Sequence, residues 1–123
     1  GYEMYTGIKG KSLYVQCWAN VMRKGEQIKS HSHSFQDNLN VPEYLHLCGH
    51  LCVQVDGTTS TYYEGSKILN KNGTIVLFPS WAKHWTDVYE GDGERITVAF
   101  DIYNQELYDV GVIDIAKSHW VRI

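Results

Sequence analysis

Alternation of apolar and polar residues with a period of two runs through most of this chain, interrupted by turn signals about every eight to twelve residues. That pattern fits short half-buried strands and leaves little room for long helices. In SLYVQCWANVM, residues 12–22, Leu13, Val15, Cys17, Ala19 and Val21 share one face, and Tyr14, Gln16, Trp18 and Asn20 share the other, because successive side chains of a strand point to opposite sides. RKGE at 23–26 turns the chain, and a short strand is expected to carry His31 and His33. Residues 34–42, SFQDNLNVP, read as a polar loop. EYLHLCGHLCVQV at 43–55 reads as a long strand, and Asp56-Gly57 as a hairpin turn into TTSTYYE. NKNG at 70–73 turns into TIVLFP, an apolar run expected to form a buried strand. AKHWTDVY follows, and EGDGE leads into RITVAFDIY at 95–103. In the tail, NQELYDVG suggests a helical turn and VIDIAKSHWVRI a further strand. About eight short antiparallel strands in one domain, residues 1–123, imply an all-β barrel or sandwich.

The totals exclude several classes of function. With 43% hydrophobic residues in 123, the chain can build one core. A net charge of −3 and the lack of a basic run argue against a nucleic-acid surface. No stretch has the length of a transmembrane helix and no signal peptide is visible. The chain opens on Gly1, which reads as a trimmed N-terminus. Cys17, Cys48 and Cys52 cannot all pair within one chain, so a reduced cytoplasmic setting is expected. A homodimer formed sheet to sheet is open to a barrel of this size.

The histidines carry the chemistry. His31 and His33, two residues apart on a strand, point to the same side, so their rings can reach one ion. Alone the pair also fits a solvated loop. Gly25 precedes His31 by six residues, and Asp37 follows His33 by four. Later, Gly73, Pro79 and His84 recur in GTIVLFPSWAKH. These two segments resemble the first and second motifs of the cupin superfamily, with Trp81 where a glycine usually stands and Val88 where an asparagine does. The resemblance implies a double-stranded β-helix (a jelly-roll) in which His31, His33 and His84 converge in the barrel mouth. Imidazole suits divalent iron, zinc, copper and nickel. Three protein ligands leave positions open for co-substrate and oxygen, as a catalytic rather than a structural site requires.

NGTIVLFPSWAKHWTDVYEGDGERITVAFDI, residues 72–102, is similar to the core of the iron(II)/2-oxoglutarate-dependent oxygenases of phage and bacterial genomes: Gly73, Leu77, Phe78, Pro79, Ser80, Trp81, His84, Glu94, Arg95, Ile96, Ala99 and Phe100 match that pattern. Upstream, Trp18, Asn20, Gly25, His31 and His33 resemble the same family. The likeness spans roughly residues 17–102. It implies a hydroxylase using Fe(II) and 2-oxoglutarate, with His84 as the distal metal ligand and Arg95 on the co-substrate's far carboxylate. A planar guanidinium suits that task. The plainer reading of Arg95 is a strand-edge residue paired with Glu94 or Asp92. Asn20 can bind a co-substrate carboxylate as well. The family's usual ligand set is two histidines and a carboxylate. Here His33 holds the carboxylate position, with Asp37 in reserve.

His46, Cys48, His50 and Cys52 share one face of the 43–55 strand. They read as a face of small and polar groups rather than a second metal site, because residues two apart lie about 6.5–7 Å apart along a strand. His50 is a candidate to line the cavity. Trp18 and Trp85 are candidates for a substrate pocket, Trp81 reads as core, and His119 as structural or exposed. The substrate is a small molecule or a side chain. Two other functions fit the pattern: a cupin metalloenzyme, dioxygenase or isomerase, that works without 2-oxoglutarate, and a non-catalytic β-sandwich binding module.

Overall fold

Ten residues, Leu13–Met22, form β1, and ten more, Arg95–Asn104, form β7 beside it. Both are rich in β-branched and aromatic residues, which pack well on a pleated surface. The two run antiparallel over their whole length, Leu13 opposite Asn104 and Met22 opposite Arg95. Between them lie β2 (His46–Gln54), β3 (Ser60–Tyr63), β4 (Ser66–Leu69), β5 (Ile75–Pro79) and β6 (His84–Thr86); β8 (Val121–Arg122) closes the order. The structure, a computed structural model, describes residues 12–33, 46–104 and 120–123. Among these there is no helix, and so none long and apolar enough to cross a membrane.

Five strands make one sheet in the order β5-β2-β7-β1-β8, and three make the other in the order β4-β3-β6. The segment before His33 lengthens the smaller sheet. Gly25 sits at φ 88°, in the left-handed region glycine occupies without strain. It closes a turn in which Glu26 N–H donates to the Arg23 carbonyl at 3.0 Å. The chain then runs antiparallel to residues 80–89: Tyr89 N–H to Glu26 O at 2.8 Å, Thr86 N–H to Ile28 O at 3.0 Å, and His84 N–H to His31 O at 3.0 Å. His31 makes only an isolated bridge to His84, so the expected short strand is a single pair.

Three other expectations are corrected. Asp56-Gly57 does not join a hairpin. Both flanks of β2 are taken by β5 and β7, so β3 has no free edge there and crosses to the other sheet. The hairpin is β3–β4, across Glu64-Gly65. The apolar run of β5 is not a buried central strand: it is the edge of the larger sheet, and Ile75 is 61% exposed. Pro79, which has no N–H to donate, ends it. Trp81, read as core from the sequence, is exposed. The expected helical turn at 104–111 and His119 lie outside the described residues apart from Asn104, which ends β7; so do Asp37 and the 34–42 loop.

The larger sheet has two unlike faces. Leu47 and Ile102 form a cluster with Leu13, Val15, Leu77 and Phe100 on the side away from the smaller sheet. Facing the smaller sheet are Trp18, Asn20, Met22, His46, Cys48, His50, Cys52, Arg95, Thr97, Ala99 and Asp101.

Candidate metal centre

A cavity of about 100 Å³ lies between the two sheets. Trp18, His31, His33, His50, His84 and Arg95 are among the residues that line it, with Asn20, Phe78 and Thr97. Strand alternation explains most of the set: Trp18 and Asn20 are two apart on β1, and Arg95, Thr97 and Ala99 are on one face of β7.

The ligand atoms of His31, His33 and His84 lie within 4.8 Å of one another. Each ring is held by its Nδ1. His31 Nδ1–H donates to the Lys29 carbonyl at 2.8 Å, His84 Nδ1–H to the Ala82 carbonyl at 3.0 Å, and His33 Nδ1–H to Asp101 Oδ1 at 2.8 Å. In those tautomers all three Nε2 atoms carry lone pairs rather than protons. His31 Nε2 and His33 Nε2 face each other at 3.2 Å. Two lone pairs repel at that distance. It is also the separation of two nitrogens bound about 2.0–2.1 Å from a shared cation. The donor set therefore fits a divalent transition metal. Burial pushes His84 down to about pKa 4, helped by the charges of its neighbours His31, His33 and His50 and opposed by the Ala82 carbonyl, so it is neutral and ready to bind.

Arg95 is 1% exposed, yet it forms no ion pair among the described residues. Its Nε–H donates to Thr59 Oγ1 at 3.1 Å, and Nη1 lies 3.3 Å from Met22 Sδ. Glu94 and Asp92 pair instead with Arg23 and Lys24 at the surface, which overturns the plain reading of Arg95. Burial lowers the Arg95 pKa, and the cost of an unpaired guanidinium in the interior invites an anion. Beside it, burial and the Arg95 charge bring His50 down to about pKa 4, and His50 Nε2 is buried with no partner among the described residues. A buried cation and an orphaned imidazole nitrogen in one cavity fit a bound carboxylate.

Trp18 stacks on His33, ring centroids 5.8 Å apart. Trp85 is not brought to the cavity. Its neighbours His84 and Thr86 point inward, so Trp85 points out and stacks on Tyr62 at 5.9 Å, above a shallow depression with Gln27, Lys29 and Ser30. Reasoning from sequence missed Asp101. The available signal was a lone acidic residue in the largely apolar strand RITVAFDIY, six residues from Arg95 and hence on its face. Asp101 Oδ1 accepts from His33, from Cys48 S–H at 2.9 Å and from His46 Nε2–H at 3.3 Å. Burial alone would raise its carboxyl, but the three hydrogen bonds together outweigh that and hold it well below the usual range. Burial and the Asp101 charge push the Cys48 thiol far up, so it stays protonated and donates. Of the strand 46–52, Cys48 does fall in a group of three close donors, with His33 and Asp101.

No curated protein sequence matches this chain. Among solved structures, KdgF from Halomonas sp. superposes with a TM-score of 0.50 at 18% identity, covering 76% of this chain and 73% of that one. It shares the cupin barrel, so the all-β double-stranded β-helix expected from the sequence is the fold. The family model described as "Putative 2OG-Fe(II) oxygenase" matches residues 38–101, a segment that contains His84 and Arg95 and begins after His33. With half of its length matched and a cupin barrel around the three histidines, the chain belongs to that family of 2OG-Fe(II) oxygenases.

Proposed function

We propose that the protein is an Fe(II)- and 2-oxoglutarate-dependent oxygenase, a hydroxylase, whose metal is held by His31, His33 and His84 and whose co-substrate is anchored by Arg95. One observation carries the reading: three imidazoles tied outward through Nδ1 turn their Nε2 atoms to a cavity that also holds a buried arginine with no carboxylate partner among the described residues. Iron and 2-oxoglutarate, when bound, would supply the oxidising power, one atom of O2 entering a substrate C–H bond and the other the succinate left when the co-substrate loses carbon dioxide. The chain's own residues bind, orient and exclude. Arg95 neutralises the far carboxylate, and its burial strengthens that attraction by keeping water away. Neutral His50 donates from Nε2 to the same acid. Asn20, on the neighbouring strand β1 of the same wall, offers a further amide donor. Phe78, 4.6 Å from the His84 ring, and Trp18 shield the nitrogens from bulk water. The substrate is a small molecule or a protein side chain. Three free cysteines, two of them buried, accord with a cytoplasmic protein.

Anaerobic titration with Fe(II) and then 2-oxoglutarate tests this. A visible metal-to-ligand charge-transfer band is expected, lost in His84→Ala and in Arg95→Ala. Iron binding with no band would overturn the co-substrate assignment. It would favour a second reading, a cupin metalloenzyme independent of 2-oxoglutarate, which the third histidine in place of a carboxylate supports. If no metal binds, neither reading stands.

A further inference from the structure

A ligand set of three neutral imidazoles lacks the negative charge that a coordinating carboxylate would bring to a divalent ion. We propose that Asp101 restores that charge at one remove: it is a positioning residue that holds His33 in its Nε2-binding tautomer and passes anionic character to the metal through the His33 Nδ1–H bond. The inference rests on His31, His33 and His84 being the ligands.

Four observations support it. The His33–Asp101 bond is short, 2.8 Å, and its partners' side chains are 11% and 13% exposed, so water screens it little. Hydrogen bonds to ionised groups in such surroundings are about twice as strong as neutral ones. Second, Asp101 sits in the centre of the larger sheet, directly opposite Cys48 on β2 and Gln16 on β1, and cannot drift. Third, the other two donors, Cys48 S–H and His46 Nε2–H, converge on the same oxygen as His33, Oδ1. They fix the carboxylate rotamer from the side away from the cavity. Fourth, the hub of this cluster is an oxygen atom. His33 Nδ1–H, Cys48 S–H and His46 Nε2–H all spend their protons on this one acceptor, so the group His33–Cys48–Asp101, whose ligand atoms also lie within 4.8 Å of one another, works as a hydrogen-bonded support for the first metal. Such a carboxylate behind a ligating histidine orients the ring and raises its basicity.

Co(II), which is stable in air, is the probe. Its absorption spectrum reports both affinity and ligand field, and the field is not moved by a residue that only fills space. Asp101→Asn keeps the shape and an acceptor oxygen but removes the charge. The expected result is Co(II) binding about 10–100-fold weaker than wild type, with a shifted d–d band. Equal affinity and an unchanged band in folded Asp101→Asn would overturn the proposal while leaving the three-histidine site intact. If wild type itself fails to bind Co(II), the ligand set is wrong and the proposal falls with it. Cys48→Ala keeps the test decisive if Asp101→Asn does not fold. Removing one competing donor leaves more of the carboxylate's charge for His33, so affinity should equal or exceed wild type. A tenfold loss in Cys48→Ala would mean that the cluster acts through packing alone.

Discussion

The two faces of the larger sheet invert the usual order. The face toward the smaller sheet, which ought to be the apolar core of a barrel, carries His46, His50, Arg95, Thr97 and Asp101, all buried. The opposite face carries the aliphatic cluster around Leu47 and Ile102. Burying polar groups costs free energy unless each finds a partner. Some do, as at Asp101. Others do not: among the described residues Arg95 has no anion, and His50 Nε2 has no partner. A sheet that is stabilised on one side and left unsatisfied on the other has its fold on the first side and its function on the second. Truncating the outer face should therefore cost stability and spare binding. Changing the inner face should do the reverse.

The largest effect expected is on the outer face. Leu47 has no exposure at all and packs with Ile102 and their half-buried neighbours. Leu47→Ala should lower unfolding free energy by about 2–5 kcal/mol, the usual cost of such a cavity. Chemical denaturation gives that number, and Co(II) titration of the folded fraction should stay within about twofold of wild type. A tenfold weaker metal site in folded Leu47→Ala would break the division between faces. On the inner face, Arg95→Met replaces a buried charge with an apolar chain of similar reach. Its 2-oxoglutarate affinity should fall about 100-fold or more, the scale of a lost charge-assisted pair. Apo stability should hold or rise, since the unpaired cation is gone. A drop of more than about 2 kcal/mol would make Arg95 a structural residue.

The inner face should also declare itself in acid. His50 has a folded pKa of about 4 against 6.5 for an ordinary histidine. The unfolded chain therefore takes up this proton first as pH falls. Stability is fully present above pH 6.5, declines between 6.5 and 4, and has lost this contribution below 4. At about 1.4 kcal/mol per unit, His50 alone accounts for about 3 kcal/mol across that window. His84, also lowered to about 4, adds to the decline in the metal-free protein. Asp101, with its pKa depressed, stays charged in the folded protein, and its contribution is lost only as pH falls toward and below the ordinary carboxyl value of 3.8, so it adds little above pH 4. His50→Gln, which cannot titrate, should flatten part of the slope in denaturation measured from pH 7 to pH 4. An unchanged slope would place His50 in water.

The division was partly legible in the sequence. Alternation in SLYVQCWANVM and in RITVAFDIY separated the faces correctly, because period-two geometry is local. The grouping of His46, Cys48, His50 and Cys52 was right for the same reason. Which face turns toward the smaller sheet was not legible, since an aliphatic stripe normally marks the face between two sheets and here marks the buried face on the other side. Sheet assignment was not legible either. Asp56-Gly57 has hairpin chemistry, with Asp56 Oδ1 accepting from Thr58 N–H at 2.9 Å, but partner strands far along the chain decide whether a hairpin forms. Asp101 escaped notice because no motif spacing marks it. Its role comes from lying opposite Cys48, a register that long-range pairing sets. His31, His33 and His84 stood out because their motif carries its own turn glycines and spacing.

The smallest effect expected separates nearness in sequence from nearness in space. Trp85 adjoins His84 in the chain and Trp18 does not, yet β6 turns Trp85 away while β1 turns Trp18 inward. Trp85 lies nearly parallel to Tyr62, 8° between rings, on the outside of the smaller sheet. Trp85→Ala should lose about 0.5–1.5 kcal/mol of aromatic pairing and leave Co(II) affinity as it was. Trp18→Ala removes the ring stacked on His33, so water reaches that ligand and its bond to Asp101 weakens; a several-fold loss of Co(II) affinity is expected. Measured side by side, the two variants ask whether strand alternation or adjacency to a ligand decides what belongs to the centre. If Trp85→Ala weakens metal binding as much as Trp18→Ala does, β6 is transmitting strain to His84, and the two sides of the smaller sheet are not independent either.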